Sequence, residues 1–132
     1  MNDNKAIIAS FFEAGNRGDM DACLALFADD VVWTNTGTTR FSGRFEGKET
    51  VVTQLLGPLF GSLDAGIHSS VDSLIAEGNQ VVALSRGRAR TKDGRPYNNS
   101  YCQVVTLRDG LIGEVTEYMD TALVDATFGP ND

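Results

Sequence analysis

The chain has a single histidine, His68, two cysteines, Cys23 and Cys102, and three prolines among 132 residues. One histidine and two distant cysteines fall short of the ligands that a zinc site gathers, and no CxxC spacing is present. Each cysteine sits where burial is expected, so each reads as a small hydrophobe. Glycine-rich phosphate loops, a GxSxG elbow and an HExxH helix are all missing, so the chemistry is expected to need no metal, nucleotide or other cofactor. Basic charge is also scarce: 11 Lys and Arg face 18 Asp and Glu, for a net charge of −7. That balance speaks against a nucleic-acid surface, which needs clustered Lys and Arg, and it disfavours anionic membranes. No apolar run approaches the ~20 residues that span a bilayer, and the opening MNDNKAII lacks a signal-peptide layout, so a cytoplasmic location is expected.

What is present is an ordinary globular composition, with 42% hydrophobic and 22% charged residues. The length suits one domain, residues 1–132, with a core that needs no staples. Ile7, Ile8, Phe11 and Phe12 recur at helical spacing in a first helix, with Asn2 or Asp3 as its N-cap. Asp19 opens a second helix, whose inner face is Met20, Cys23, Leu24 and Phe27. A strand at residues 31–35 and a polar, glycine-containing loop follow. Residues 48–60 read as a third helix, with Gly57-Pro58 as a kink or early stop.

The remainder is strand-rich. Turns at Gly78-Asn79, Asp93-Gly94 and Asp109-Gly110 link four long strands in a meander. Helices first and a long antiparallel sheet afterwards give an α+β class, with helices packed on one sheet face. A curved sheet covered this way leaves a cone-shaped cavity, the usual home of a small ligand.

The runs FFEAGNRGDMDACLALFADDVVW, FEGKETV, LIAEGNQVV and above all DGRPYNNSYCQVVTLRDGLIGEVTEYMDTALV resemble the nuclear transport factor 2-like superfamily. The nearest branch is the SnoaL-like, ketosteroid isomerase-related proteins. The resemblance spans nearly the whole chain. It implies a cone-shaped, cystatin-like α+β fold, with three N-terminal helices on a strongly curved antiparallel or mixed sheet around a deep apolar pocket. It also implies a homodimer formed through the sheet. The branch holds cofactor-free isomerases, polyketide cyclases and epoxide hydrolases, and fold alone does not choose among them.

Residue by residue, the resemblance argues against a standard ketosteroid isomerase. Asn35 stands where the base aspartate should be, Phe11 near the oxyanion-hole tyrosine, and Gln103 near the second aspartate; a site of that kind needs both acids and the phenol. The epoxide hydrolase pattern keeps Arg86 and matches Asp120 of EYMD, but Arg88 replaces its first aspartate, which weakens that reading. A carboxylate facing two guanidiniums would be ionised, a base rather than an acid. A cyclase asks for less, one proton-handling group and an apolar pocket.

Asp120 is the expected acid/base group by the family pattern, with Arg86 and Arg88 as its charge partners. Trp33, Asn35, Tyr101, Gln103, Tyr118 and Phe11 are the expected pocket lining. Strand parity leaves Glu117 as the alternative to Asp120, and Asp120 equally suits an N-cap before Thr121-Ala122-Leu123. The expected ligand is a small apolar or aromatic molecule. The alternative function is a binding or dimerisation module without turnover.

Overall fold

The strongest turn signal, Asp109-Gly110, is a turn in the structure. Both residues take positive φ, 51° and 79°, the pair that a type I′ connection requires. The computed structural model describes residues 3–131; Asn2, one of the two expected caps, lies outside them. The element order is α1 (Asp3–Asn16), α2 (Met20–Ala25), β1 (Phe27–Asn35), β2 (Gly43–Glu46) and α3 (Lys48–Thr50). A π-helical segment (Val51–Leu56), α4 (Gly57–Gly61), β3 (His68–Glu77), β4 (Gln80–Arg88), β5 (Ser100–Arg108), β6 (Leu111–Met119) and α5 (Thr121–Phe128) complete it. Among the described residues no helix is long and apolar enough to cross a membrane.

The six strands form one sheet in the order β2-β1-β6-β5-β4-β3. The β3–β6 meander is antiparallel throughout, and β1 joins β6 in parallel, so the sheet is mixed. This is the α+β architecture expected from the sequence. Three local readings are corrected. The glycine-containing loop after β1 contains the short strand β2, which pairs Phe45 with Trp33. The strands flanking Asp93-Gly94 stop at Arg88 and restart at Ser100, leaving only isolated bridges, Leu63 with Thr91 and Arg90 with Pro96.

The third correction concerns Gly57-Pro58. The pair neither stops nor sharply ends the helix. The turn before it widens to π geometry, and the Gly57 N–H reaches back to the Val52 carbonyl. Proline offers no N–H of its own, so a wider turn absorbs the missing bond. A side chain at Gly57 would begin 3.0 Å from that same carbonyl oxygen.

Alternation decides which side chains face the helices. On β4, Val81, Ala83, Ser85 and Gly87 are buried, while Leu84, Arg86 and Arg88 are exposed. Val105 and Leu107 of β5 and Val115 of β6 are buried with them. They pack against Ile8 and Phe12 of α1 and Val51 and Leu55 of the π-helical segment. A second cluster, Leu63, Tyr97 and Val124, docks α5 at one end, and the Phe128 ring meets Tyr97 and Phe41 edge-on. Asn16, at the end of α1, pairs with the backbone of Ser69 on edge strand β3 through two 2.8 Å bonds. One side chain thus substitutes for a missing neighbouring strand.

Gly87 is the inward residue of Arg86-Gly87-Arg88. A Cβ there would lie 2.8 Å from Ile67 Cγ2 and 3.0 Å from Tyr101 Cε2. Gly87→Ala is therefore expected to destabilise the protein by roughly 1–3 kcal/mol through overpacking. Gly61 ends a helix with nothing within 4 Å of its would-be Cβ, so Gly61→Ala should stabilise by about 0.4–1 kcal/mol. Urea melts that fail to give opposite signs would refute this account of the two sites.

Candidate functional site

Between the concave face of the sheet and the helices lies a cavity of about 570 Å³. Registry sets its floor. Asn35 of β1 faces Glu117 of β6, which faces Gln103 of β5, which faces Ala83 of β4. One row further along, Met119 faces Tyr101, which faces Ser85. The walls are apolar, with Phe11, Phe12 and Leu24 from α1 and α2, and Leu55, Leu59 and Phe60 from the third helical run. The α1–α2 turn and the Ala65-Gly66 corner, whose φ values are 75° and 77°, also line it.

Glu117 is the chemical centre of this cavity. Its side chain is 9% exposed, and Gln103 Nε2 donates to its Oε2 at 2.5 Å. Burial raises its pKa from 4.5 to about 7, and the Gln103 hydrogen bond opposes that rise only in part. Taking a carboxylate out of water disfavours the charged form, and no cation acts on it to restore that form. Among the described residues nothing donates to Oε1 of Glu117, and it is not sealed in, so it opens on the cavity that Glu117 lines. A group that is half ionised near neutrality can both take and return a proton. Its partner carries a cost: Gln103 Oε1 is buried without a hydrogen-bond partner.

A second polar group sits where β5 begins. Asn99, 2% exposed, donates through Nδ2 to the Tyr97 hydroxyl at 3.0 Å and to the Asp120 carbonyl at 3.2 Å. Its Oδ1 accepts from the Ser100 and Asp120 amides. Burial pushes the phenols of Tyr97 and Tyr101 up from their ordinary value, Tyr101 the more strongly. Both feel the charge of Glu117.

The expected site residues separate into two groups. Trp33, Asn35, Tyr101, Gln103 and Phe11 line the cavity. Asn35 is spent on structure: it accepts from Trp33 Nε1 at 2.8 Å and donates to the Phe41 carbonyl at 2.9 Å. Asp120, Arg86, Arg88 and Tyr118 do not converge on the cavity, which corrects that part of the sequence reading. Asp120 is exposed and caps α5, its Oδ1 accepting from the Leu123 amide at 3.2 Å. Arg86 lies on the outer face and grips Asp72 in a bidentate pair at 2.8 and 3.0 Å. Arg88 is exposed on the same outer face, and Tyr118 is 49% exposed beyond it.

The register shift of β6 falls at Gly113 and the pairing is regular from Glu114 to Met119, so Glu117 keeps the inward parity of Val115 and Met119. Tyr97 and Ser85 line the cavity and were not singled out as lining; Asn99 stands behind them and holds the Tyr97 hydroxyl. The signal existed: Tyr97, Asn99, Tyr101 and Gln103 alternate at the strand period. Among the described residues, no three His, Cys, Asp or Glu side chains come together as metal ligands.

The SnoaL-like domain model matches residues 8–115. The chain belongs to that family. No curated protein matches the sequence. A nuclear transport factor 2-like protein of unknown function from Burkholderia pseudomallei superposes with a TM-score of 0.85 at 23% identity, over 96% of this chain and 97% of that one. TerC, co-crystallized with polyporic acid, superposes at 0.80 with 19% identity, over 92% and 94% of the two chains. An LEH-like epoxide hydrolase from M. tuberculosis superposes at 0.76 with 21% identity, over 94% and 87%. At these identities the likeness establishes the nuclear transport factor 2-like fold.

The raised Glu117 pKa has a consequence for stability. The native state holds this proton more tightly than the unfolded chain does, so its contribution is intact below pH 4.5 and is lost as pH rises through about 7. The loss is on the order of 3 kcal/mol. Glu117→Gln, which cannot ionise, is expected to remove that slope. Chemical denaturation of both proteins at pH 5 and pH 8 checks it; equal pH dependence in the two would place Glu117 in a wetter setting than the one described.

Proposed function

We propose that this SnoaL-like protein binds a small apolar or aromatic metabolite in its cavity and moves a proton on it with Glu117, without a cofactor. The observation that carries this reading is a buried carboxyl, half ionised near neutrality, with one oxygen open to a largely apolar cavity. The ionised form takes a proton from an acidified C–H or O–H and becomes the carboxylic acid. The acid then returns that proton to a second atom of the same ligand. Such a cycle is an isomerisation, or the proton-handling half of a cyclisation. The co-crystallization of one structural neighbour with polyporic acid supports an organic ligand for a cavity of this fold. The epoxide hydrolase reading gains less, because it asks for two acids and Glu117 has no second carboxyl in its row.

The test is hydrogen–deuterium exchange at the acidic α-carbons of 2-tetralone in D₂O. The wild type should accelerate exchange, and Glu117→Gln should reduce it by about 10²–10⁴-fold. Asp120→Ala, which removes only a surface cap, should retain it. A wild type that binds the ketone with no acceleration would establish a binding module in place of an enzyme.

We propose further that two copies pair through the outer sheet face. Ile75, Leu84 and Tyr118 are 55%, 38% and 49% exposed there. Ile75 shares a row with the half-buried Val82 and Val104, and Leu84 and Tyr118 share the next row across Cys102; an apolar patch on a sheet marks an interaction surface. Sedimentation should give twice 14.2 kDa for the wild type, and the single-chain mass for Leu84→Asp. A monomeric wild type would rule this pairing out.

A further inference from the structure

The hydroxyls of Tyr97 and Tyr101 hold two protons, and the hydrogen bonds around them do not use both. Asn99 Nδ2 can only donate, so Tyr97 Oη is an acceptor in that 3.0 Å bond. Between the two phenols, one proton at most is spent, whichever ring donates. No carbonyl, carboxylate or hydroxyl elsewhere among the described residues accepts from either ring. At least one phenolic O–H is therefore left to give, and both rings line the cavity. The count holds for either arrangement of the hydroxyl hydrogens.

The pair is held rigidly. All the bonding of Asn99 is committed, to Tyr97, Ser100 and both backbone groups of Asp120. The Tyr101 ring has Gly87 against its edge, where a Cβ would come within 3.0 Å, and Phe128 meets the Tyr97 ring at a centroid separation of 4.9 Å. A fixed donor at the wall of an apolar cavity selects for an acceptor on the ligand, since a buried donor without a partner costs free energy.

We infer that Tyr97 and Tyr101 form an oxygen-binding subsite that receives a carbonyl or enolate oxygen of the ligand, one sheet row away from Glu117. The inference rests on the reading of the cavity as a metabolite site and narrows the ligand to an apolar or aromatic carbonyl compound. With the oxygen held on the tyrosines, the proton that Glu117 removes lies beside the carbonyl, and the negative charge that develops on that oxygen is met by the phenolic O–H.

Two probes of nearly equal size test it: 2-acetylnaphthalene, whose carbonyl accepts but cannot donate, and 2-ethylnaphthalene, which does neither. Binding is measured by fluorescence at pH 9. There Glu117, with its pKa of about 7, has no proton to give, whereas the tyrosines, pushed above their ordinary value, keep theirs. The ketone should bind about tenfold more tightly than the hydrocarbon. The advantage should vanish in the Tyr97→Phe/Tyr101→Phe double variant. In the wild type, the infrared carbonyl stretch of the bound ketone should fall below its value in cyclohexane, a reading that needs no variant to fold. Equal affinities with an unshifted stretch would overturn the subsite and leave the cavity reading standing. An advantage that survives in the double variant would move the donor to Ser85 and likewise overturn it. If neither probe binds, the metabolite-site reading falls, and the subsite with it.

Discussion

A carboxyl group buried in an apolar cone is the constraint on which the site depends. Glu117 sits in a row of side chains running across four strands, Asn35–Glu117–Gln103–Ala83, with valine rows beneath it. Moving an ionised carboxylate from water to such a place is costly, and proteins ordinarily answer with a cation or with protonation. Here no cation acts on the carboxyl: Arg17, which lines the cavity, pairs with Asp19. Arg86 is committed to Asp72 on the opposite face of the sheet, and the net charge of −7 makes basic groups scarce throughout. What remains is an amide, and the proton stays on Glu117 up to about neutrality.

The cone exists because its helices are prevented from filling it. Ile8, Phe12, Val51 and Leu55 seat on the Val31, Val81, Val105 and Val115 layer at one end. Leu63, Tyr97 and Val124 close the other end around α5. Between the two clusters Leu56 and Leu59 line the wall of the cavity. The two cores are each tight, and the space between them is the site. A structure with one continuous core would have had no room for a ligand.

Much of the scaffold was legible in the sequence because it rests on local chemistry. Asp19 caps α2, Asp109-Gly110 turns the last hairpin, and the alternation of β4 and β6 can be read from Val81-Ala83-Ser85 and Val115-Glu117-Met119. The position of the acid was legible too, since parity puts Glu117 with valine and methionine, and Asp120 at the first residue beyond the strand. The family pattern drew the reading to Asp120 by its place after Tyr118-Met119, and a pattern carries position in the chain without carrying the direction of a side chain. The arginines misled for the same reason: Arg86 and Arg88 flank Gly87, and it is the glycine that faces in, with its missing side chain making room for Tyr101. The π turn was not legible because a proline in a helix can as readily kink or end it, and the short strand β2 was not because it depends on its pairing with β1 across a polar loop.

Gln103 completes the physical account of the site. A carboxyl that changes protonation near neutrality needs a neighbour that serves both forms. A lysine or arginine would hold it ionised, and a second carboxyl would couple to it and split its titration. A glutamine amide does neither. It donates from Nε2 to the carboxylate, and after a half-turn about its last bond it accepts the carboxylic acid proton at Oε1. Only one of its two ends can face Glu117 at a time, so the other must point into apolar surroundings. The unpartnered Oε1 of Gln103 is the cost of that adaptability, and it is smaller than the cost of a buried carboxyl left without a partner in either state.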